Sequence, residues 1–162
     1  MMQPILLLGD PRLYENSSPV SQEDLPNLRR TVEDLHDTLM AFREKYHAGR
    51  AIAAPQIGVP KRLIYMYIDR PVVFLNPTLE FPDPERMELL DDCMSFPGLL
   101  VKVERYRRCT VRCRDLDWRE CRFTFEDDLS ELIQHEYDHL DGILATMRAV
   151  DQKSLFFKPA SR

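Results

Sequence analysis

The chain lacks a long apolar segment. Its first apolar stretch, residues 4–8, ends at Gly9-Asp10, whereas a helix needs about 20 apolar residues to cross a bilayer. No basic segment precedes this stretch, so the pattern of a secretory signal peptide is also missing. We therefore predict a cytoplasmic protein that has no membrane partner.

Paired cysteines are missing as well. The chain has four cysteines, and none belongs to a C-x-x-C pair. Cytosolic thiols are normally reduced, so the cysteines indicate no disulfide framework. Cys109 and Cys113 lie four positions apart and would share one face of a strand, which favours core positions over metal binding.

A strong charge of either sign is also absent. The net charge is −5, from 22 basic and 27 acidic residues, which argues against nonspecific binding to DNA or RNA. Arginines do cluster between residues 105 and 114, but charge runs are usually solvated faces. We interpret five of them as exposed residues that alternate along strands: Arg105, Arg107, Arg108, Arg112 and Arg114.

The apolar pattern changes along the chain from helical to strand spacing and back. Residues 25–46 and 127–140 carry apolar side chains every three to four positions, which predicts two amphipathic helices. Asp127 or Asp128 can cap the second helix. Between the helices, apolar runs broken at Asn76-Pro77 and elsewhere predict strands at residues 63–68, 72–75, 99–103, 109–114 and 121–125. This order, in 162 residues, predicts a single α+β domain.

His135, Glu136 and His139 form an H-E-x-x-H motif inside the second predicted helix. Residues four apart on a helix share a face, with Cβ atoms about 5–6 Å apart, so two imidazoles can bind one divalent metal. The adjacent Glu can then act on a metal-bound water. Exposed helical histidines also occur by chance, but these two lie on the apolar face of the predicted helix.

A catalytic zinc-type site needs a third protein ligand. Zinc endopeptidases with this motif take it from downstream. Here Gly142 matches the glycine of one such pattern, but Ala145 stands where its last His belongs, and no His or Glu follows His139. Upstream, Cys93 offers a soft thiolate ligand. A Cys-His-His set with one open position therefore predicts a hydrolytic metal centre other than an ordinary endopeptidase.

Three separated segments resemble motifs of the peptide deformylases. Residues 49–58 (GRAIAAPQIG) are similar to G-x-G-x-A-A-x-Q-x-G, residues 93–95 (CMS) to E-G-C-x-S, and residues 134–140 (QHEYDHL) to Q-H-E-x-D-H-L. Three motifs in order are far more specific than one. The resemblance implies mixed or antiparallel sheets around a metal-binding helix, in one catalytic domain over residues 1–162. It also implies a short tail, about residues 149–162, with a strand remnant and no additional helix.

The resemblance implies a metal-dependent amidohydrolase that removes the N-formyl group from formyl-methionyl peptides of nascent proteins. Cys93, His135 and His139 would bind one divalent metal. Glu136 would act as general base and then as proton donor to the leaving amine. The implied natural metal is ferrous iron, Fe2+, with Zn2+, Ni2+ or Co2+ able to occupy the same ligands.

Further roles follow from the same resemblance. The side-chain amide of Gln56 and the backbone N–H of Met94 would stabilise the oxyanion. For Asp138, two interpretations are equally favoured: it contacts and supports the metal ligands, or it lies at an exposed position of the helix. The expected partners are an N-formylated peptide and the ribosome, with the enzyme itself a monomer.

The chain departs from the family pattern around the substrate, while every proposed chemical group is retained. Asp91-Asp92 replaces the Glu-Gly that precedes the metal-binding Cys. Leu100 stands where the family often has an Arg that can pair with that Glu. We interpret the two changes as a coupled loss.

The expected substrate-binding positions also differ. In the family, the methionine pocket is usually apolar at the positions held here by Asp128 and Glu131. In the substrate-binding segment Gly49-Arg50-Ala51, Arg50 replaces a common Val or Ile, and Ala51 replaces a Gly. Two alternatives therefore stay open beside ordinary deformylation: hydrolysis of a formyl substrate that does not begin with methionine, and a noncatalytic deformylase-like binding protein.

Overall fold

The computed structural model describes residues 1–159. Two α-helices, α1 (Leu25–Tyr46) and α2 (Asp127–Leu140), flank most of the strands in the chain. In this range the strands are β1 (Ala51–Ala53), β2 (Leu63–Tyr67), β3 (Pro71–Glu80), β4 (Arg86–Asp91), β5 (Leu99–Tyr106), β6 (Arg108–Arg114), β7 (Glu120–Glu126) and β8 (Leu155–Phe157).

Helix α1 has the bounds that its apolar spacing predicts. Leu35 and Leu39 lie one turn apart on its inner face and are completely buried. The helix ends at Tyr46 because His47 takes a left-handed conformation, with φ of 55°, and its N–H donates to the carbonyl oxygen of Arg43. The sequence pattern is therefore sufficient to locate this helix.

Two antiparallel sheets surround α2. One has the strand order β1-β2-β3-β6-β7, and the other has the order β4-β5-β8. Helix α2 contacts β1, β2, β6 and β7 of the first sheet and β5 of the second. This arrangement confirms the predicted α+β fold and places the H-E-x-x-H motif between the sheets. No helix in residues 1–159 is both long and apolar enough to cross a membrane.

The strand predictions were wrong at three points. Asn76-Pro77 does not end a strand, because β3 continues through a register shift between Leu75 and Thr78. At this bulge Asn76 has φ of 48°, and its side chain accepts a hydrogen bond from the N–H of Val20 at 2.7 Å. Strands β1 and β4 were not predicted. Strand β1 has three residues, and most of β4 alternates exposed with half-buried side chains.

The C-terminal segment forms the predicted strand remnant. Strand β8 pairs with β5 at the edge of the smaller sheet. Between α2 and residue 159, the helical element is a 3-10 turn, Ala145–Arg148, and the lack of an additional helix in the tail stays a prediction. The last three residues of the predicted tail, 160–162, lie outside the described range.

Helix α2 has the predicted bounds but a different start. Its N-cap residue is Glu126, which makes no side-chain capping bond, while Asp127 and Asp128 lie in the first turn. The predicted Asp cap is therefore wrong. Acidic side chains in the first turn still interact favourably with the helix dipole.

The end of α2 is fixed by the N-terminal segment of the chain. The N–H of Ser17 donates to the carbonyl oxygen of Leu140 at 2.8 Å. Gly142 has φ of 71°, and a Cβ at this position would overlap the backbone carbonyl of Tyr14. The absence of a side chain at Gly142 therefore allows the N-terminal segment to pack closely against the end of α2.

Candidate metal centre

The metal motif lies on the buried face of α2. His135, Glu136 and His139 are each at most 4% exposed. The helix places His135 and His139 one turn apart on the same side, with ring centroids 5.0 Å from each other. Ile133 and Leu140, both completely buried, anchor the helix in the core. The shared helix face predicted for the two histidines is thus confirmed.

Cys93 comes from a different element, the turn that follows β4. Its Sγ lies 3.3 Å from Nε2 of His139, and donor atoms of Cys93, His135 and His139 all lie within 4.8 Å of one another. A tetrahedral ion with bonds of 2.0–2.3 Å requires donor atoms about 3.4–3.6 Å apart. The donor set therefore fits one divalent metal and leaves a position for water or substrate.

Hydrogen bonds select which nitrogen of His135 is free for metal. Its Nδ1 lies 2.9–3.0 Å from the carboxylate oxygens of Asp91, which leaves Nε2 for the ion. In His139, Nδ1 has no partner within residues 1–159, while Nε2 faces Cys93. Both rings can thus direct Nε2 to one point.

A buried ion-pair network holds Asp91 in place. The Arg105 guanidinium donates to Asp91 at 3.0 Å and to Asp138 at 2.6 Å. Arg148, which is half-exposed, donates two further bonds to Asp138 at 2.6 and 2.9 Å. We refer to Asp91, Arg105, Asp138, Arg148 and His135 as the inner network. It connects the surface to the metal-binding ring through continuous charge-assisted bonds.

The inner network corrects three sequence predictions. Arg105 is only 3% exposed and is therefore not one of the solvated arginines of its run. Asp138 is buried, so its exposed-helix reading is wrong and its supporting role is retained. Asp91 keeps a cationic partner in Arg105, so no coupled loss with Leu100 has occurred.

Arg105 was not among the predicted site residues. Its partners lie 14 and 33 positions away in the sequence, and its neighbours on β5 follow an ordinary alternating pattern. The available signal was indirect: a buried acidic residue requires a cation nearby. Only the packing of β5 against α2 identifies which arginine supplies that charge.

Burial and charge shift the pKa values of the acidic groups. Burial alone would raise the pKa of Asp91, but His135 and Arg105 outweigh it and hold that pKa below its usual range. Burial raises the pKa of Glu136 to about 7. One carboxylate oxygen of Glu136, Oε2, has no partner in the described chain. Such an unpaired group beside metal ligands can exchange a proton with a bound molecule.

Gln56 reaches the same point from the 3-10 turn after β1. Its Oε1 accepts from the N–H of Ala53 at 2.9 Å, which fixes the amide orientation. Its Nε2 then lies 3.1 Å from Oγ of Ser95 and 3.6 Å from Sγ of Cys93. The backbone N–H of Met94 makes no bond to another described residue. Both predicted oxyanion donors therefore lie at or next to Cys93.

Cys93, His135 and Glu136 line a cleft of about 870 Å³. Gly49, Arg50 and Ala51 line it from the segment that enters edge strand β1, and Glu131 lines it from α2. Asp128 is 75% exposed and contacts Arg50. Four of the five predicted substrate-binding residues thus line the cleft, and the fifth, Asp128, contacts one of them.

The polar side of this cleft is formed by ion pairs. Arg50 lies 2.9 Å from Asp128 and 3.6 Å from Glu131. We refer to Arg50, Asp128 and Glu131 as the charged wall. Burial, with the charge of Asp91, raises the pKa of Glu131 to about 8. Asp91, Glu131 and His135 also form a close donor set, but Asp91 is already bonded to His135 and Arg105, so the Cys93 set is the better metal site.

Known proteins match both the sequence and this fold. The family described as polypeptide deformylase matches residues 2–155. Peptide deformylase from Thermotoga petrophila is 32% identical over 158 residues, which cover 97% of this chain and 93% of the relative. That from Pseudothermotoga lettingae is 36% identical over 144 residues, which cover 89% of this chain and 81% of the relative.

Solved structures give the same result. The crystal structure of peptide deformylase from Thermotoga maritima has a TM-score of 0.84 and 32% identity, and the match covers 93% of this chain and 99% of that one. The Met-Ala-Ser-bound class I type b peptide deformylase from Acinetobacter baumannii has a TM-score of 0.82 and 28% identity, covering 91% and 98% of the two chains. With its Cys-His-His donor set, the chain belongs to the peptide deformylase family and is a metal-dependent hydrolase.

Proposed function

We propose that the enzyme hydrolyses the N-terminal formamide of newly synthesised peptides and releases formate. The observation that carries this proposal is the convergence of Cys93, His135 and His139 beside the unpaired carboxylate of Glu136. The family match gives the reaction class. We further propose one catalytic domain that acts as a monomer in the cytoplasm, where the ribosome supplies nascent chains.

The metal would be held by Cys93, His135 and His139, and we propose ferrous iron as the natural ion. When bound, the ion supplies a Lewis acid that polarises the formyl carbonyl and lowers the pKa of the attacking water. Sulfur and imidazole ligands suit several divalent ions, so the ligand set supports iron without selecting it over zinc, nickel or cobalt.

Glu136 is the proposed proton carrier. Its carboxylate accepts a proton from the attacking water and then delivers it to the amine as the C–N bond breaks. The raised pKa of Glu136, about 7, supports both steps, because such a group gains and loses a proton near neutral pH. Water adds to the formyl carbon, and the products are formate and a free N-terminus.

Gln56 and Met94 are the proposed donors to the oxyanion. The amide of Gln56 is oriented by Ala53 before any substrate binds, so no reorganisation is needed during the reaction. The N–H of Met94 adjoins the metal-binding Cys93. The substrate backbone would run along Gly49, Arg50 and Ala51, because these residues line the cleft beside edge strand β1.

Formate release from formyl-Met-Ala-Ser by anaerobically prepared, iron-loaded protein tests the proposal. Glu136→Gln should retain the metal, measured by elemental analysis, and lower kcat by about 10²- to 10⁴-fold. The matched control is Glu120→Gln, an exposed position that should leave both values unchanged. If the unmodified, metal-loaded protein released no formate from any formyl-peptide, the binding-protein alternative would replace this proposal.

A further inference from the structure

Arg43, in the last turn of α1, donates its side-chain hydrogen bonds to the main chain. Its Nε and Nη2 lie 3.0 and 2.8 Å from the carbonyl oxygen of Gly49. The same Nη2 lies 2.6 Å from the carbonyl oxygen of Tyr67, the last residue of β2. A charged, half-buried donor makes stronger bonds to a carbonyl oxygen than a neutral donor does. The guanidinium therefore bridges two backbone segments firmly.

The bridge fixes the segment that leads from α1 into β1, residues 47–50. At its start, the N–H of His47 donates to the carbonyl oxygen of Arg43 at 2.8 Å. Near its end, the guanidinium of Arg43 holds Gly49, and the N–H of Tyr67 donates to the carbonyl oxygen of Arg50 at 2.9 Å. Arg43 thus supports this segment from both sides and attaches it to the end of β2.

This segment sets the position of the open edge of β1. In an antiparallel pair, the backbone groups of alternate residues point to the partner strand. Since the carbonyl group of Arg50 accepts from β2, the N–H and C=O of Ala51 point away from β2, toward the open edge. Ala51 lies two residues after Gly49, so the bonds from Arg43 control where these free groups lie.

The outer end of the edge faces the later residues of a peptide substrate. Gln56 lies 3.6 Å from Sγ of Cys93, so the C-terminal end of β1 is at the metal ligands and Gly49 is at the outer end. Each residue of an extended peptide advances by about 3.3 Å. The formamide therefore stays near Gln56, while the second and third residues pass Ala51 and Gly49. Arg43 lines the same cleft.

We propose that Arg43 is a positioning residue for peptide binding: by bridging Gly49 and Tyr67, it holds the outer edge of β1 in the geometry that pairs with the substrate backbone beyond the first residue. This inference rests on the proposed deformylation. It favours formyl-peptides of two or more residues over formyl-methionine alone, and nascent chains belong to that class. Arg43 acts through the backbone of residues 49–51 and leaves the metal ligands and Glu136 untouched.

Substrates of different length test the proposal with the iron-loaded enzyme. In Arg43→Met, KM for formyl-Met-Ala-Ser should rise by about tenfold, because loss of the bridging hydrogen bonds disturbs the backbone groups that bind the peptide. Its kcat should change by less than about twofold. For formyl-methionine amide, which has no second residue, kcat/KM should change by less than about twofold. Equal losses for the two substrates, or no loss for either, would overturn the positioning role and leave deformylation intact.

Hydrogen exchange gives a readout that requires no turnover. The N–H of Tyr67 should exchange faster in Arg43→Met by about tenfold or more, since its acceptor at Arg50 is less firmly held. The amides of α2 should exchange at unchanged rates. An unaltered exchange rate at Tyr67 would contradict the bridge. If the unmodified enzyme released no formate from any formyl-peptide, the proposed function itself would be wrong.

Two further variants separate the bridge from charge alone. Arg43→Lys keeps the positive charge but lacks the planar fork, so KM for formyl-Met-Ala-Ser should lie between the values of the unmodified enzyme and Arg43→Met. Full recovery with Lys would show that charge alone is sufficient. The matched control is Arg30→Met, which removes an exposed arginine about 20 Å away on the same helix and should leave every value unchanged.

Discussion

The inner network and the charged wall both include residues of α2 and both pair arginine with acidic residues, but their surroundings differ. Arg105, Asp91 and Asp138 are almost completely buried and bonded to one another. In the charged wall, Arg50 and Asp128 remain in contact with solvent, whereas Glu131 is buried. Buried charges have no water to replace a lost partner, whereas exposed charges do. The inner network is therefore suited to hold the metal ligands, and the charged wall to exchange partners with a ligand.

Removal of a metal ligand should have a larger effect on metal content and formate release than a change in either group of charges. Cys93→Ala should leave two protein ligands, because only His135 and His139 would then reach the ion. We expect the metal content, measured by elemental analysis, to fall toward zero and formate release to decrease by about 10³-fold or more. Cys121→Ser alters a half-buried thiol away from the site and should keep a full complement of metal.

Breaking the inner network should be nearly as damaging. Arg105→Met would leave Asp91 and Asp138 buried without their shared cation, at a cost of about 3–5 kcal/mol in the free energy of unfolding. We expect Tm to fall by about 10 °C and metal affinity to fall by about 10- to 100-fold. Arg107→Met, an exposed neighbour that pairs at the surface, is the matched control. Equal effects of the two substitutions would show that burial does not distinguish them.

A backbone change behind α2 separates steric from electrostatic support of the site. Gly142→Ala would bring a Cβ into the backbone carbonyl of Tyr14 and strain a residue whose φ is 71°. The expected loss is about 1–3 kcal/mol in the free energy of unfolding, measured by denaturant titration. Gly9→Ala has a positive φ but open space around it, so it should cost less. A larger loss at Gly9 would contradict the steric explanation.

The smallest effect is expected at the exposed end of the charged wall. Asp128→Asn removes one ion pair with Arg50 at a position that is 75% exposed. Tm should change by less than about 2 °C, because solvent screens such pairs. Metal content should stay constant. A Tm change as large as that of Arg105→Met would remove the distinction between the two regions.

Part of this site follows directly from local sequence. Helix α2 and its two histidines were predictable because helical spacing depends only on residues three or four positions apart. The bounds of α1 follow for the same reason. Strand β1 could not be predicted, because three residues carry no period and its pairing with β2 supplies its hydrogen bonds.

Partners that are distant in sequence required the fold. Cys93 was identified through the order of three motifs, and its 3.3 Å approach to His139 is a tertiary contact. Arg105 was assigned to a solvated run because nothing in the local sequence distinguishes it from Arg107. Glu131 was visible in the sequence as an unusual residue type, but the sequence did not show its distance to Arg50.

The sequence by itself determined the chemical groups of this enzyme, since residue types and short spacings state which atoms can bind a metal or move a proton. The tertiary structure alone decided which charges are buried and which remain in water. Burial depends on how β5, α2 and the segment before β1 pack together, and no single segment contains that information. In this protein that packing buries the charges next to His135 and leaves Arg50 and Asp128 partly or largely exposed.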